Sequence, residues 1–240
     1  MDEGPGKFRI GLIALSNDYV TERDFMNMRP NDDLVVYTSR IPNTPDCTIE
    51  TLQEMAQHIT HATSLLVPEG RLDVIAYSCT SGTAVMGFDK IGSLIQDARP
   101  NVAWTTPLTS SLAALDQFGA ERLAVLTPYV DEVNTVIAEY LEAEGKEIVA
   151  FSSYKIADNE EMAKISPECI YQAALEADRD DADALFISCT AIRAVDVVDK
   201  IEQKIGKPVI SAVQAMFWQS ARIAGFNDKI PGFGQLLRLG

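Results

Sequence analysis

Short continuous apolar blocks recur along the chain at 8–15, 34–39, 102–104, 122–127, 147–151, 183–188 and 208–210, with a further block ending at Cys79. Blocks of this length bounded by polar turns predict buried parallel strands. Between them, apolar positions fall three and four apart, as Ile49, Leu52, Met55, Ala56 and Ile59 do. That spacing predicts helices over 48–66, 82–98, 107–118, 131–144, 167–177, 195–205 and 212–224, with a short one beginning near Thr21. Gly119, Gly145 and Gly225 stand where three of these helices should stop, and Ser166-Pro167 where another should start. Strand alternating with helix predicts an α/β fold with parallel sheets and right-handed crossovers.

The pattern occurs twice. Asp73-Val74-Ile75-Ala76-Tyr77-Ser78-Cys79-Thr80-Ser81 has a counterpart in Asp183-Ala184-Leu185-Phe186-Ile187-Ser188-Cys189-Thr190-Ala191. Arg9-Ile10-Gly11-Leu12-Ile13 is echoed by Arg122-Leu123-Ala124-Val125-Leu126, and the strand and helix ending at Gly119 by those ending at Gly225. We therefore expect two similar flavodoxin-like α/β units related by a pseudo-dyad. The first is 1–105, with 211–240 packing back on it, and the second is 106–210. In open α/β sheets the functional crevice lies outside the carboxyl ends of the strands. Both Ser-Cys-Thr turns sit at such an end, so a pseudo-dyad turns Cys79 and Cys189 towards one cleft.

A thiol acts as nucleophile or base only when ionised, and helix N-termini favour the thiolate. The turn N–H groups of Thr80, Ser81, Thr190 and Ala191 suit carboxylate oxygens. Together these features point to proton transfer or thiolate addition on a small carboxylic acid, one thiol on each side of the reacting carbon. The competing account makes each cysteine a small buried residue at a strand end. Its weakness is the repetition of the whole turn. Cys47 and Cys169 have no counterpart and are read as structural.

Composition narrows the partners. The 35 acidic residues outnumber the 20 basic ones, giving a net charge of −15, which argues against nucleic acid and anionic membranes. The N-terminal stretch does not resemble a signal peptide and no apolar run approaches a membrane span, so a cytoplasmic location is expected. His58 and His61 fall three apart on a helix without further ligands nearby, so no metal is expected. There is no GxxxxGK[ST] and no GxGxxG, and no nucleotide cofactor is expected either.

The sequence resembles the aspartate/glutamate racemase superfamily, and within it the branch of maleate cis–trans isomerases and arylmalonate decarboxylases. The resemblance rests on Gly11-Leu12-Ile13 with its polar turn, Ser78-Cys79-Thr80-Ser81, the stretch from Thr127-Pro128-Tyr129 to Asn134, Ser188-Cys189-Thr190, and Gly206-Lys207-Pro208-Val209-Ile210-Ser211. It implies a cofactor-independent isomerase, a dimer by family analogy. Cys79 would add to an alkene as thiolate, and Cys189 would supply and remove the proton. Ser78, Tyr129 and Asn159 fall at substrate-binding positions of that branch, although each also suits a turn or helix start. Where the branch has an asparagine after the first strand, this chain has Asp18, with Asn17 one position before.

A carboxylate in that place would repel a dicarboxylate but suit an α-ammonium group. This keeps open an amino acid racemase, with the cysteines as base and acid on opposite faces of Cα. The decarboxylases of the branch have glycine at the first cysteine position, so that activity is disfavoured by Cys79. A non-catalytic metabolite-binding protein is the remaining alternative.

Overall fold

The structure, a computed structural model, describes residues 4–239. Its first half contains β1 (Phe8–Leu15), α1 (Thr21–Met28), β2 (Leu34–Ile41), α2 (Ile49–Glu54), α3 (Ala56–Ser64), β3 (Val74–Tyr77), α4 (Thr80–Met86), α5 (Phe88–Ala98) and β4 (Ala103–Thr105). The second contains α6 (Pro107–Gln117), β5 (Arg122–Thr127), α7 (Asp131–Ala143), β6 (Glu147–Ser153), α8 (Asn159–Ala163), α9 (Pro167–Ala177) and β7 (Ala184–Ile187). It closes with α10 (Val198–Ile205), β8 (Val209–Ser211) and α11 (Ala212–Ala224). The strands form two four-stranded sheets in the orders β2-β1-β3-β4 and β6-β5-β7-β8, every pairing parallel. The repeat in the sequence is a repeat in the fold.

β3 and β7 are buried at every position, which is why both read as unbroken apolar runs. The aspartate before each does the same work in each half. Asp73 accepts the Arg9 N–H at 2.7 Å, and Asp183 accepts those of Glu121 and Arg122 at 3.1 and 2.8 Å. Each carboxylate thus ties the start of its strand to the neighbouring β1 or β5, and with that sets the register that brings Ile10 opposite Val74 and Leu123 opposite Ala184.

α11 crosses back over β1, β3 and β4 and runs along α6. Phe217 on α11 meets Phe25 on α1 edge-on, with ring centroids 5.2 Å apart. Ala212 to Trp218 are all buried, as a helix enclosed by neighbours on every side requires.

Three predicted helices differ, and one helix was not predicted. The helix expected over 82–98 begins at Thr80 and is cut in two by Gly87, whose φ of +84° and ψ of 147° suit glycine alone. The helix expected over 48–66 breaks at Met55, where the His58 N–H bonds to the Met55 carbonyl three residues back. After Cys189 the helix starts only at Val198, preceded by a 3-10 turn over Ala194–Asp196. No element was predicted where α8 lies. Its five residues are too few to show a period, and it is started by Asp158, which accepts the N–H groups of Glu160 and Glu161 at 2.7 and 3.1 Å.

Candidate active site

In each sheet the strand placed second sends its chain one way while its inner neighbour sends it the other, and this opens a crevice at the strand ends. Asn17-Asp18 leave β1 and Ser78-Cys79 leave β3 at one such point. Tyr129 follows β5, and Ser188-Cys189 follow β7, at the other.

Cys79 is the N-cap of α4, in an extended conformation, and its Sγ accepts the Gly82 N–H at 3.2 Å. A side chain at Gly82 would come within 2.8 Å of the Tyr77 hydroxyl and 3.0 Å of the thiol, so only glycine lets the helix start this close. Ser81 Oγ lies 3.6 Å from Cys79 Sγ and 3.7 Å from Cys47 Sγ, standing between two buried thiols. Burial pushes the Cys79 pKa up to about 12. The neighbouring Cys47 adds to this, and the bonds from Ser81 and Gly82 oppose it.

Cys189 is built differently. Its φ of +132° lies where non-glycine residues are strained. Its Sγ accepts the Ala191 N–H at 3.2 Å, and the buried Tyr129 hydroxyl acts on the thiol. Burial pushes this thiol up to about 12 as well, with Tyr129 and the Ala191 N–H pulling the other way. No α-helix begins here, so the helix-terminus field expected at both cysteines exists only at Cys79. The Ala191 N–H expected to hold a carboxylate is turned to the thiol instead.

The two turns are joined. Thr21, the first residue of α1, places its hydroxyl 2.9 Å from the Ser78 hydroxyl and donates to the Thr190 carbonyl at 3.4 Å. Thr21 therefore links the two turns through one side chain. Ionisation of Cys79 opposes that of Cys189, as close like charges do.

A strap closes the cleft. The loops that follow the edge strands β2 and β6 meet in an antiparallel bridge between Asp46 and Asp158. The Cys47 N–H bonds to the Ala157 carbonyl at 3.1 Å, and the Asn159 N–H to the Pro45 carbonyl at 2.9 Å. Asn17 Oδ1 accepts from Asn43 at 2.9 Å and from Asn159 at 3.3 Å, so three amides knit the strap to the β1 turn. Beneath it Cys79 is 5% and Cys189 3% exposed.

Asp18 turns one oxygen to main chain, accepting the N–H groups of Val20 and Thr21 at 2.8 and 2.9 Å where α1 begins. Its Oδ2, the Thr80 hydroxyl and the Ser188 hydroxyl are buried without a hydrogen-bond partner. Three unmatched polar atoms around two buried thiols describe a site built for something polar.

A sequence model of the arylmalonate decarboxylase family matches residues 46–237. The chain belongs to the arylmalonate decarboxylase family. Maleate isomerase of Nocardia farcinica is 27% identical over 241 residues, covering 96% of this chain and 95% of its own. The crystal structure of a maleate isomerase from Pseudomonas putida S16 with maleate superimposes with a TM-score of 0.89 at 22% identity, covering 97% of this chain and 98% of that one. A variant of the Nocardia farcinica maleate cis-trans isomerase, with a covalently bound succinylcysteine intermediate, gives 0.87 at 24% identity, covering 96% and 98%. At these identities the likeness of the structures is a likeness of fold.

For this member of the arylmalonate decarboxylase family, the residues singled out in the sequence converge at the cleft, with Asn17 and Asn159 in the strap and Asp18 at the head of α1. Sequence reading missed four participants: Thr21, Asn43, Tyr77 and Cys47. Cys47 was set aside as structural because it has no counterpart in the other half, yet it lies against Ser81. The Tyr77 hydroxyl donates to Met55 Sδ at 3.9 Å, and its titration is linked to that of Cys79. Thr21 alone left a signal, as a hydroxyl at a predicted helix start. His58 is half-buried and His61 exposed on α3, and Cys169 is exposed.

Proposed function

We propose that this protein is a cofactor-independent maleate cis–trans isomerase that works through Cys79 and Cys189. The observation that carries the reading is the pair of buried thiols, one at the switch point of each sheet and each cradled by a backbone N–H. The succinylcysteine seen in the Nocardia farcinica enzyme supports it. The Cys79 thiolate adds to one alkene carbon as the π bond opens, and Cys189 gives its proton to the other. Rotation about the new single bond follows. Cys189 then takes the proton back, the C–S bond breaks, and fumarate leaves. In the closed cleft both thiols are held protonated by burial. Against this the Ser81 hydroxyl and the Gly82 N–H favour the Cys79 thiolate.

Tyr129 orients Cys189 through its hydroxyl. Thr80 and Ser81, whose N–H groups head α4 and have no intrahelical partner, receive one carboxylate together with the Ser78 turn. Thr190, Ala191, Asn17 and Asn159 shape the other end of the cleft, and Asp18 lies beside it. The chain divides into 1–105 with 211–240, and 106–210, a division supported by α11 lying over β1, β3 and β4. We take the enzyme to be a cytoplasmic homodimer with a small carboxylate as its partner and neither nucleic acid nor membrane. The net charge of −15 supports the last two points. No helix among the described residues is long and apolar enough to cross a membrane.

Proton NMR of the protein with maleate tests the reading directly. The maleate singlet should be replaced by that of fumarate, and Cys79→Ala and Cys189→Ala should each abolish the change. An unchanged maleate signal with the wild-type protein would refute it.

A further inference from the structure

The charges around Asp18 do not balance. The residue is 5% exposed, and one carboxylate oxygen is used by two main-chain N–H groups. The other has no donor at all. Neither neighbouring arginine supplies one. Arg40 gives its guanidinium to the carbonyls of Leu15, Ser16 and Asp18 and to the Glu22 carboxylate, and Arg23 is held between Asp24 and Asp196. The side-chain amide of Asn17 faces the strap, with its oxygen shared by Asn43 and Asn159 and its nitrogen on the Thr44 carbonyl at 3.4 Å.

Asp18 stands at the reacting end of the cleft, near enough for its charge to oppose ionisation of Cys79. Asp18 holds the Thr21 N–H, and the Thr21 hydroxyl touches Ser78, the residue before Cys79. An ionised carboxylate only accepts hydrogen bonds. A second carboxylate brought to this point would meet like charge in a buried place, whereas an N–H group would supply the missing donor.

We propose that Asp18 selects a substrate with one carboxylate and one N–H donor, the half-amide of a cis-butenedioic acid rather than the diacid. This rests on the isomerase reading above and deepens it. The carbon skeleton and the alkene are unchanged, so the chemistry is too. The Cys79 S–C bond forms as the π bond opens, the Cys189 proton moves to the other carbon, and both steps reverse after rotation to give the trans half-amide. The amide N–H of the half-amide bonds to Asp18 Oδ2, which leaves its carboxylate at the far end of the molecule from Asp18.

Asp18→Asn separates the roles, because it keeps an oxygen for Val20 and Thr21 and turns the other atom into a donor. The wild-type protein should isomerise the half-amide of maleate with kcat/KM at least about tenfold above maleate, and D18N should reverse the order, by the size of effect seen when a site's donor and acceptor pattern is mismatched. Wild-type preference for maleate, with the ratio unmoved in D18N, overturns this inference and leaves the isomerase standing. Loss of the L-aspartate α-proton signal in D₂O, with the half-amide untouched, assigns the donor to an ammonium group and overturns it as well.

If the wild-type protein isomerises neither alkene, the isomerase reading falls, and calorimetry with the saturated pair decides the role of Asp18. Succinamate bound more tightly than succinate by the wild type, with the order reversed in D18N, supports the selection. Equal binding, or tighter succinate, overturns it.

Discussion

Cys189 holds a backbone conformation that cysteine does not favour, and the cost can be isolated. At position 189 φ is +132°, whereas at position 79 it is −149°, an ordinary extended value. Alanine and glycine variants of either cysteine lack the same sulfur. Comparing the two within one position therefore cancels the lost thiol and leaves only Cβ. Holding a side chain at such a φ costs about 1–3 kcal/mol. Glycine forfeits roughly 0.5–1 kcal/mol of that through the larger entropy of its unfolded chain. Cys189→Gly should thus be more stable than Cys189→Ala, by up to about 2.5 kcal/mol. At position 79 there is no strain to relieve, and glycine's entropy cost of about 0.5–1 kcal/mol is offset by its similar advantage over alanine at an N-cap, so Cys79→Gly and Cys79→Ala should be about equally stable. For a chain of this size about 2–4 °C accompanies each kcal/mol, so the glycine variant at 189 should melt above its alanine counterpart, by up to about 10 °C. Thermal scans and urea titrations with a shared m-value measure this. If Cys189→Ala melts at or above Cys189→Gly, the backbone at that turn is not strained and the argument fails.

Thr21→Val removes the hydroxyl that joins the Ser78 and Thr190 turns. Stability should fall by about 1 kcal/mol, while turnover falls roughly 10- to 100-fold because the thiols lose alignment; an unchanged kcat would count against the bridge. Asp24 is fully buried, and burial pushes its pKa from 3.8 up to about 7 against the pull of Arg23. Below 3.8 both folded and unfolded chains carry the neutral acid. From there to about 7 the unfolded chain sheds its proton first, so the wild type loses stability while Asp24→Asn does not. Urea midpoints of the two proteins should separate across that window in favour of the variant, and parallel curves would contradict it. Iodoacetamide at pH 8 should label the exposed Cys169 first, with Cys79 and Cys189 protected by burial and their raised pKa values. Asn43→Ala, which loosens the strap, should shorten that protection, read by peptide mass mapping.

Much of the architecture lay open in the chain because its signals are local. An unbroken apolar run such as Val74 to Tyr77 is what a strand buried on both faces needs, and it is legible without knowing its neighbours. The same holds for the glycine stops at Gly145 and Gly225, both at positive φ just beyond a helix, and for Ser166, which accepts the Cys169 N–H. Repetition carried the topology, because a segment that folds one way in one half meets the same partners in the other. The paired Asp73 and Asp183 belong to that class, although only the structure explains them, as clamps on the adjacent strand.

The features that escaped the sequence depend on contacts between residues far apart in the chain. Thr21 reaches Ser78 and Thr190, Cys47 reaches Ser81, and Asn17 gathers Asn43 and Asn159 into one strap. None of these pairs has a period or a spacing, so no window of sequence contains it. The asymmetry between the thiols was hidden for the same reason. Ser-Cys-Thr is written identically at both turns, yet Thr80 opens a helix and Thr190 does not. The path of the chain beyond each turn is settled by the packing of its own half, and so one thiol receives a helix terminus while the other receives a strained backbone and a tyrosine hydroxyl.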